Sequence, residues 1–204
     1  MSQERHPIEA EIHPLLAQRW SPRAFSGESL STATLRQLFE AARWAPSSMN
    51  EQPWRFIVAR RDERDAFERI FNCLSESNRR WAGSAGALVV AVAARFSTRS
   101  GRENGSARYD LGQAVAHLTV QAMAAGLYVH QMGGFSADAA REALAIPEGF
   151  DPVVAIAIGR LGDPSTLAET DREREASTRS RRALAETVFA GSWGQSAPFT
   201  DSAG

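Results

Sequence analysis

There is no lysine anywhere in the 204 residues; all 23 basic side chains are arginine. That absence excludes every chemistry that needs a lysine amine. A Schiff base to pyridoxal phosphate or to a carbonyl substrate cannot form. A P-loop is excluded because its lysine must reach the β- and γ-phosphates, and so is a protein-kinase strand lysine. Any anion site has to be built from arginine, hydroxyls and backbone N–H groups. The 23 arginines face 24 acidic residues, for a net charge of -1. Such a balance lacks the basic excess of a dedicated nucleic-acid binder, so no nucleic-acid partner is expected.

Cysteine is nearly absent as well. A single residue, Cys73, excludes an internal disulfide and a multi-cysteine zinc site, and it points to a reducing compartment. It closes a helical pattern over residues 65–74 and reads as a small buried hydrophobe. The four histidines, His6, His13, His117 and His130, have no metal-ligand spacing. His117, on a long apolar helix, reads as a packed core residue. Long apolar runs are missing too: the longest, residues 85–94, is too short to span a bilayer. The polar, acidic start over residues 1–14 is unlike a signal peptide. A cytoplasmic protein with no membrane partner is expected.

What is present fits an ordinary globular chain, 43% hydrophobic and 23% charged, of a length suited to one domain. Helical periodicity runs over residues 32–43, 62–74, 109–125 and 136–145. Ser31 and Ser136 stand where N-caps belong, and Gly126 where a helix-ending glycine belongs. Strand-like stretches cover 54–59, 87–93, 127–132 and 152–159, the second and last apolar enough to be buried on both faces. Residues 96–106 read as an exposed loop. From 169 to 182 the chain is dense in charge and offers nothing for a core. The expected architecture is α+β in a single domain over residues 1–204, with a core about 15–162 and a C-terminal extension about 163–204.

Four segments carry more chemistry than a scaffold needs. Arg19-Trp20-Ser21-Pro22-Arg23 places two guanidinium groups and a hydroxyl within five residues, a set suited to phosphate and common in solvated turns too. Residues 45–56, Ala-Pro-Ser-Ser-Met-Asn-Glu-Gln-Pro-Trp-Arg-Phe, stiffen a polar loop with two prolines before an aromatic strand. Gly133-Gly134-Phe135 lets a ligand approach the backbone. Arg179-Ser180-Arg181-Arg182 is a late basic run.

Together these segments resemble the flavin-dependent nitroreductase family, with a match over residues 15–189. The most specific block is the Ala45–Phe56 pattern between helix and strand. The resemblance implies a nitroreductase-like fold, with a mainly antiparallel central sheet flanked by helices and a C-terminal extension embracing a partner subunit. It implies a homodimer with FMN at its interface. Arg19, Trp20, Ser21, Arg23, Arg179 and Arg181 would hold the phosphoribityl chain, with Arg182 as an alternative to Arg181. Pro46, Ser47, Ser48 and Asn50 would come from the other subunit, with Gln52 beside them. Asn78 would sit near the pyrimidine edge, and Gly133 and Gly134 would line the flavin. No catalytic side chain is required, because the flavin performs the chemistry. The implied activity is NAD(P)H-dependent reduction of nitroaromatic or quinone-like small molecules by a ping-pong mechanism. Enone reduction, dehalogenation or oxidase chemistry on the same cofactor, and a non-catalytic flavin-binding dimer, are the alternatives.

Overall fold

Alternation along one strand explains most of the architecture. In the computed structural model, which describes residue 8 and residues 10–200, the run Ala-Leu-Val-Val-Ala-Val-Ala-Ala forms a central strand. Its odd-numbered residues Ala87, Val89, Ala91 and Ala93 enter one core, and Leu88, Val90 and Val92 enter another. A strand with both faces apolar must be covered by helices on both sides. His6 and the start of the polar 1–14 segment lie outside the described residues.

In chain order the elements are α1 (Pro14–Gln18), α2 (Thr32–Arg43), β1 (Trp54–Arg60), α3 (Arg64–Asn72), α4 (Glu76–Ala82), β2 (Ala87–Ala94), α5 (Ala107–Ala124), β3 (Tyr128–Met132), α6 (Ala137–Ala143), β4 (Phe150–Gly159) and α7 (Glu169–Ala176). The four strands form one antiparallel sheet in the order β1-β2-β4-β3. β1 and β3 are therefore its two edges. The β2–β4 register shifts between Ala91 and Val92, beside Pro152. A proline has no N–H for the ladder, and a bulge absorbs the missing bond.

The chain divides into two compact units, residues 19–175 and residues 1–18 with 176–204. The first contains the whole sheet. On one face α2 and α5 pack through Leu35, Leu38, Leu111, Val115 and Leu118. On the other, Phe67, Ile70, Trp81 and Phe25 cover Leu88 and Val90. Burying a side chain such as Leu38 fully contributes about 1.5–3 kcal/mol. The second unit holds α1 and irregular chain, including a pair of tilted rings, Phe189 and Trp193, with centroids 5.0 Å apart.

The capping residues behave as their chemistry requires. Ser31 accepts the Thr34 N–H at 3.1 Å, and Ser136 accepts the Ala139 N–H at 3.1 Å. Gly126 follows α5 with φ of 68°, a backbone conformation glycine adopts at no steric cost. Two expectations are corrected. His117 is exposed, because it lies on the outward side of α5. The charge-dense segment is not all solvated: Asp171 and Glu175 of α7 are 1% and 4% exposed. Asp171 is compensated by Arg80 at 3.0 Å, and Glu175 by backbone N–H groups. Burial of a carboxylate is tolerable only with such partners.

Candidate functional site

The loop before β1 holds three of the four non-glycine residues with positive φ among the described residues. Met49, Asn50 and Gln52 all have positive φ, at 53°, 54° and 46°. None is glycine, and Met and Gln are residues that seldom adopt this region. Each such conformation costs on the order of 1–3 kcal/mol and persists only where surroundings enforce it. Here the enforcing contacts are visible. The Ser47 hydroxyl accepts the Gln52 N–H at 3.0 Å, closing the loop on itself. Gln52 Nε2 donates to the Asn50 carbonyl at 3.2 Å. The Arg55 guanidinium donates to the Gln52 and Trp54 carbonyls at 3.0 and 2.7 Å.

Two carboxylates, Asp110 from α5 and Glu51 of the loop itself, complete the frame. Asp110 of α5, 2% exposed, accepts the Ser48 N–H at 3.1 Å. Glu51 reaches the 96–106 loop and accepts from the Ser97 hydroxyl at 2.6 Å and from the Thr98 N–H and hydroxyl at 3.0 and 2.8 Å. These hydrogen bonds, Ser97 first, hold the Glu51 carboxyl down at about 2. Pro46, Met49 and Asn50 are left at the surface.

The second cluster is at the other edge of the sheet. Arg19, Trp20, Ser21 and Arg23 are all half-buried. Arg19 Nη1 lies 3.4 Å from the Ser21 hydroxyl. The Trp20 ring meets Tyr128 of β3 edge-on, 6.2 Å between centroids. His130 of β3 places Nδ1 2.8 Å from the Pro22 carbonyl, and its ring tilts over Trp81 at 4.4 Å. Burial holds the His130 imidazole neutral, with its pKa lowered to about 4, and the nearby Arg23 charge adds to that. The Arg23 guanidinium itself makes no hydrogen bond or ion pair among the described residues.

Gly133 and Gly134 follow β3 directly. The Gly134 carbonyl accepts from Asn78 Nδ2 at 2.9 Å and from the Ser75 N–H at 2.9 Å. A Cβ on Gly134 would stand 2.8 Å from both Asn78 Nδ2 and the Ser75 hydroxyl, so a side chain here would displace one or both of them. Asn78 and Gly134, far apart in sequence, are thus brought into contact.

The predicted residues consequently fall into separate groups. Pro46, Ser47, Ser48, Asn50 and Gln52 precede edge strand β1; Arg19, Trp20, Ser21, Arg23, Gly133, Gly134 and Asn78 gather about edge strand β3. Three strand spacings, roughly 14 Å, separate those edges within one chain. Arg179 and Arg181 belong to the terminal unit. There Arg179 Nη2 is 3.4 Å from the Ala17 carbonyl, and Arg181 is exposed and bonded to the Ser180 carbonyl at 2.7 Å. Arg182 is exposed and pairs with Glu186 at 3.6 Å.

Asp110, His130 and Glu175 have no place in the motifs read from sequence. The available signals were slight: an acidic residue opening an otherwise apolar helix, and a histidine inside a strand. No cluster of histidine, cysteine, aspartate and glutamate among the described residues could hold a metal ion. No helix among them is long and apolar enough to cross a membrane.

The geometry defines a helix-covered antiparallel α+β protein that presents a rigid polar loop on one sheet edge and an arginine arm on the other. Residues 16–160 match the model of the Nitroreductase family, and the chain belongs to that family. It superposes with a TM-score of 0.89 at 34% identity on a crystal structure described as an oxidoreductase containing FMN, over 96% of this chain and 99% of the other. An uncharacterized 15.4 kDa protein of Mycolicibacterium smegmatis is 36% identical over 149 residues, 69% of this chain and 97% of the relative. A Streptomyces coelicolor protein provisionally named NADH dehydrogenase/NAD(P)H nitroreductase is 42% identical over 71 residues, 35% of this chain and 33% of that one.

Proposed function

We propose that this protein is an FMN-dependent oxidoreductase that takes electrons from NAD(P)H and reduces nitroaromatic or quinone-like small molecules. The observation that carries the reading is Arg23: a half-buried residue whose guanidinium makes no hydrogen bond or ion pair among the described residues, on a backbone fixed from both sides. That is a donor suited to a phosphate monoester. Arg19 and Ser21 lie beside it. Gly133, where a Cβ would meet nothing within 4 Å, leaves the backbone open to the edge of a flat ring system beside Asn78 and Gly134. The donor set therefore fits FMN. The cofactor would supply the redox chemistry, and this chain would supply position and electrostatics. The family match and the FMN of the solved relative support the cofactor, and the name of the Streptomyces relative supports NAD(P)H.

The protein acts as a homodimer with two shared sites. The support is topological: a rigid loop on the β1 edge and an arginine arm on the β3 edge cannot meet around one ring system in one chain, whereas a two-fold partner can bring its loop to the arm. Exposed apolar residues lie near the loop and on the outward side of α5, with Trp44 and Tyr109 each 73% exposed and Met49 68%. Such a concentration marks an interaction surface. In this dimer the C-terminal segment reaches onto the partner. Nicotinamide and acceptor use one site in turn, which gives ping-pong kinetics, and the protein works in the cytoplasm.

An absorbance spectrum of purified protein, with and without NADPH under anaerobic conditions, tests the reading. A flavin spectrum bleached by NADPH and restored by a nitroaromatic or quinone is expected. Colourless protein that leaves added FMN fluorescence unchanged refutes the cofactor. NAD(P)H oxidation that no such acceptor accelerates refutes the reaction.

A further inference from the structure

The peptide unit between Pro22 and Arg23 is gripped at both of its polar atoms. Its oxygen faces His130 Nδ1 at 2.8 Å, and its N–H donates to Glu175 Oε2 at 2.8 Å. The other Glu175 oxygen takes the next N–H, from Ala24, at 3.2 Å. The grips come from β3 and from α7, 108 and 152 residues away in sequence. Because a carbonyl can only accept, the imidazole donates from Nδ1.

Both gripping groups are costly choices for a mere turn. Glu175 is 4% exposed and makes no ion pair among the described residues; its two oxygens serve the Arg23 and Ala24 N–H groups. A buried carboxylate without a cationic partner is retained only against a substantial desolvation cost. His130 is set in turn by Trp81, whose ring stacks on Phe25 with centroids 6.2 Å apart. The backbone of Arg23 is thus held at two successive N–H groups and one carbonyl, while its guanidinium makes no hydrogen bond or ion pair among the described residues. A fixed base under an unpartnered cation is the arrangement of a preorganised anion contact.

We propose that His130 and Glu175 are positioning residues: by locking the Pro22–Arg23 peptide unit they aim the Arg23 guanidinium at the terminal phosphate of the flavin nucleotide. This rests on the FMN reading above. It assigns no contact between either residue and the cofactor.

Riboflavin, which lacks the phosphate, isolates the effect. Affinities of the full-length apo protein for FMN and for riboflavin are measured by flavin fluorescence quenching. Glu175→Gln and His130→Phe should each weaken FMN about tenfold, the scale of one misaligned charge-assisted hydrogen bond, and leave riboflavin unchanged. His130→Asn, whose amide can replace the Nδ1 donor, should restore most of the loss. On an Arg23→Ala background, Glu175→Gln should change FMN affinity less than twofold, because the two act through one group. Equal losses for FMN and riboflavin would show a general structural role and overturn the proposal, as would unchanged FMN affinity. If Glu175→Gln does not fold, His130→Phe with its Asn rescue decides alone. Wild-type protein that quenches neither flavin overturns the FMN reading and this proposal with it; wild-type binding with insensitive variants overturns this proposal only.

Discussion

Lowering the pH from 7 to 5 should destabilise the apo protein through His130 specifically. The folded chain keeps this imidazole neutral, with its pKa lowered to about 4 from the ordinary 6.5 by burial and by the neighbouring Arg23 charge. The unfolded chain therefore binds a proton that the folded chain refuses. Stability tied to this group is intact above pH 6.5, falls as pH drops below it, and stops falling below the folded value near 4. At 1.36 kcal/mol for each pH unit separating the two values, the full effect is about 3 kcal/mol, of which about 2 kcal/mol appears between pH 7 and 5. Urea unfolding followed by far-ultraviolet circular dichroism, for wild type and His130→Asn, separates this from other titrations. Glu40 and Glu51, held near 2, lose their contribution in a lower window as pH falls from about 4.5, and they do so equally in both chains. Wild type should lose about 2 kcal/mol more than the variant over pH 7 to 5. Parallel pH profiles for the two proteins would refute the reasoning.

Other perturbations give distinct outcomes. Asp110→Ala leaves the Ser48 N–H without its acceptor and should cost about 1–2 kcal/mol in urea unfolding, whereas Asp110→Asn keeps an acceptor oxygen and should cost less. Arg23→Ala and Asn50→Ala should each lose FMN as separate homodimers, and mixing them with subunit exchange should restore at most one site per heterodimer, counted from bound flavin absorbance. Cys73 is 3% exposed and burial pushes its thiol up, so a disulfide reagent at pH 8 should modify it only in denaturant, as read by the released chromophore.

Much of the fold was legible because it depends on local patterning. The 32–43 helix appears with the limits its apolar spacing and Ser31 cap imply, and β2 and β4 follow from apolar runs. The 45–56 block and the 19–23 arm announce their polar chemistry by composition alone. Other features rest on contacts that sequence spacing does not encode. Three positive φ values occur without a glycine, since Asp110 on Ser48, and Ser97 and Thr98 on Glu51, hold the loop from outside it. α4 carries Glu76, Arg79 and Arg80 and looks like surface, yet it buries Trp81 against His130. α7 has the composition of a solvated run, and only the fold brings Glu175 beneath Arg23. His117 failed as a core residue for the complementary reason: α5 is apolar on more than one side, and periodicity cannot say which side faces out.

The arginine arm is consequently not a portable motif. Its five residues could be grafted onto another sheet, or the chain could be cut after β4 at the limit of the family match, and the recognisable pattern would remain. The arm would then lose the acceptor that α7 supplies from 152 positions downstream. Two backbone N–H groups would be left to find water, and the guanidinium would swing with its peptide. A shortened or chimeric version can therefore keep all five residues of the arm and the whole sheet, and still lose the direction in which Arg23 points.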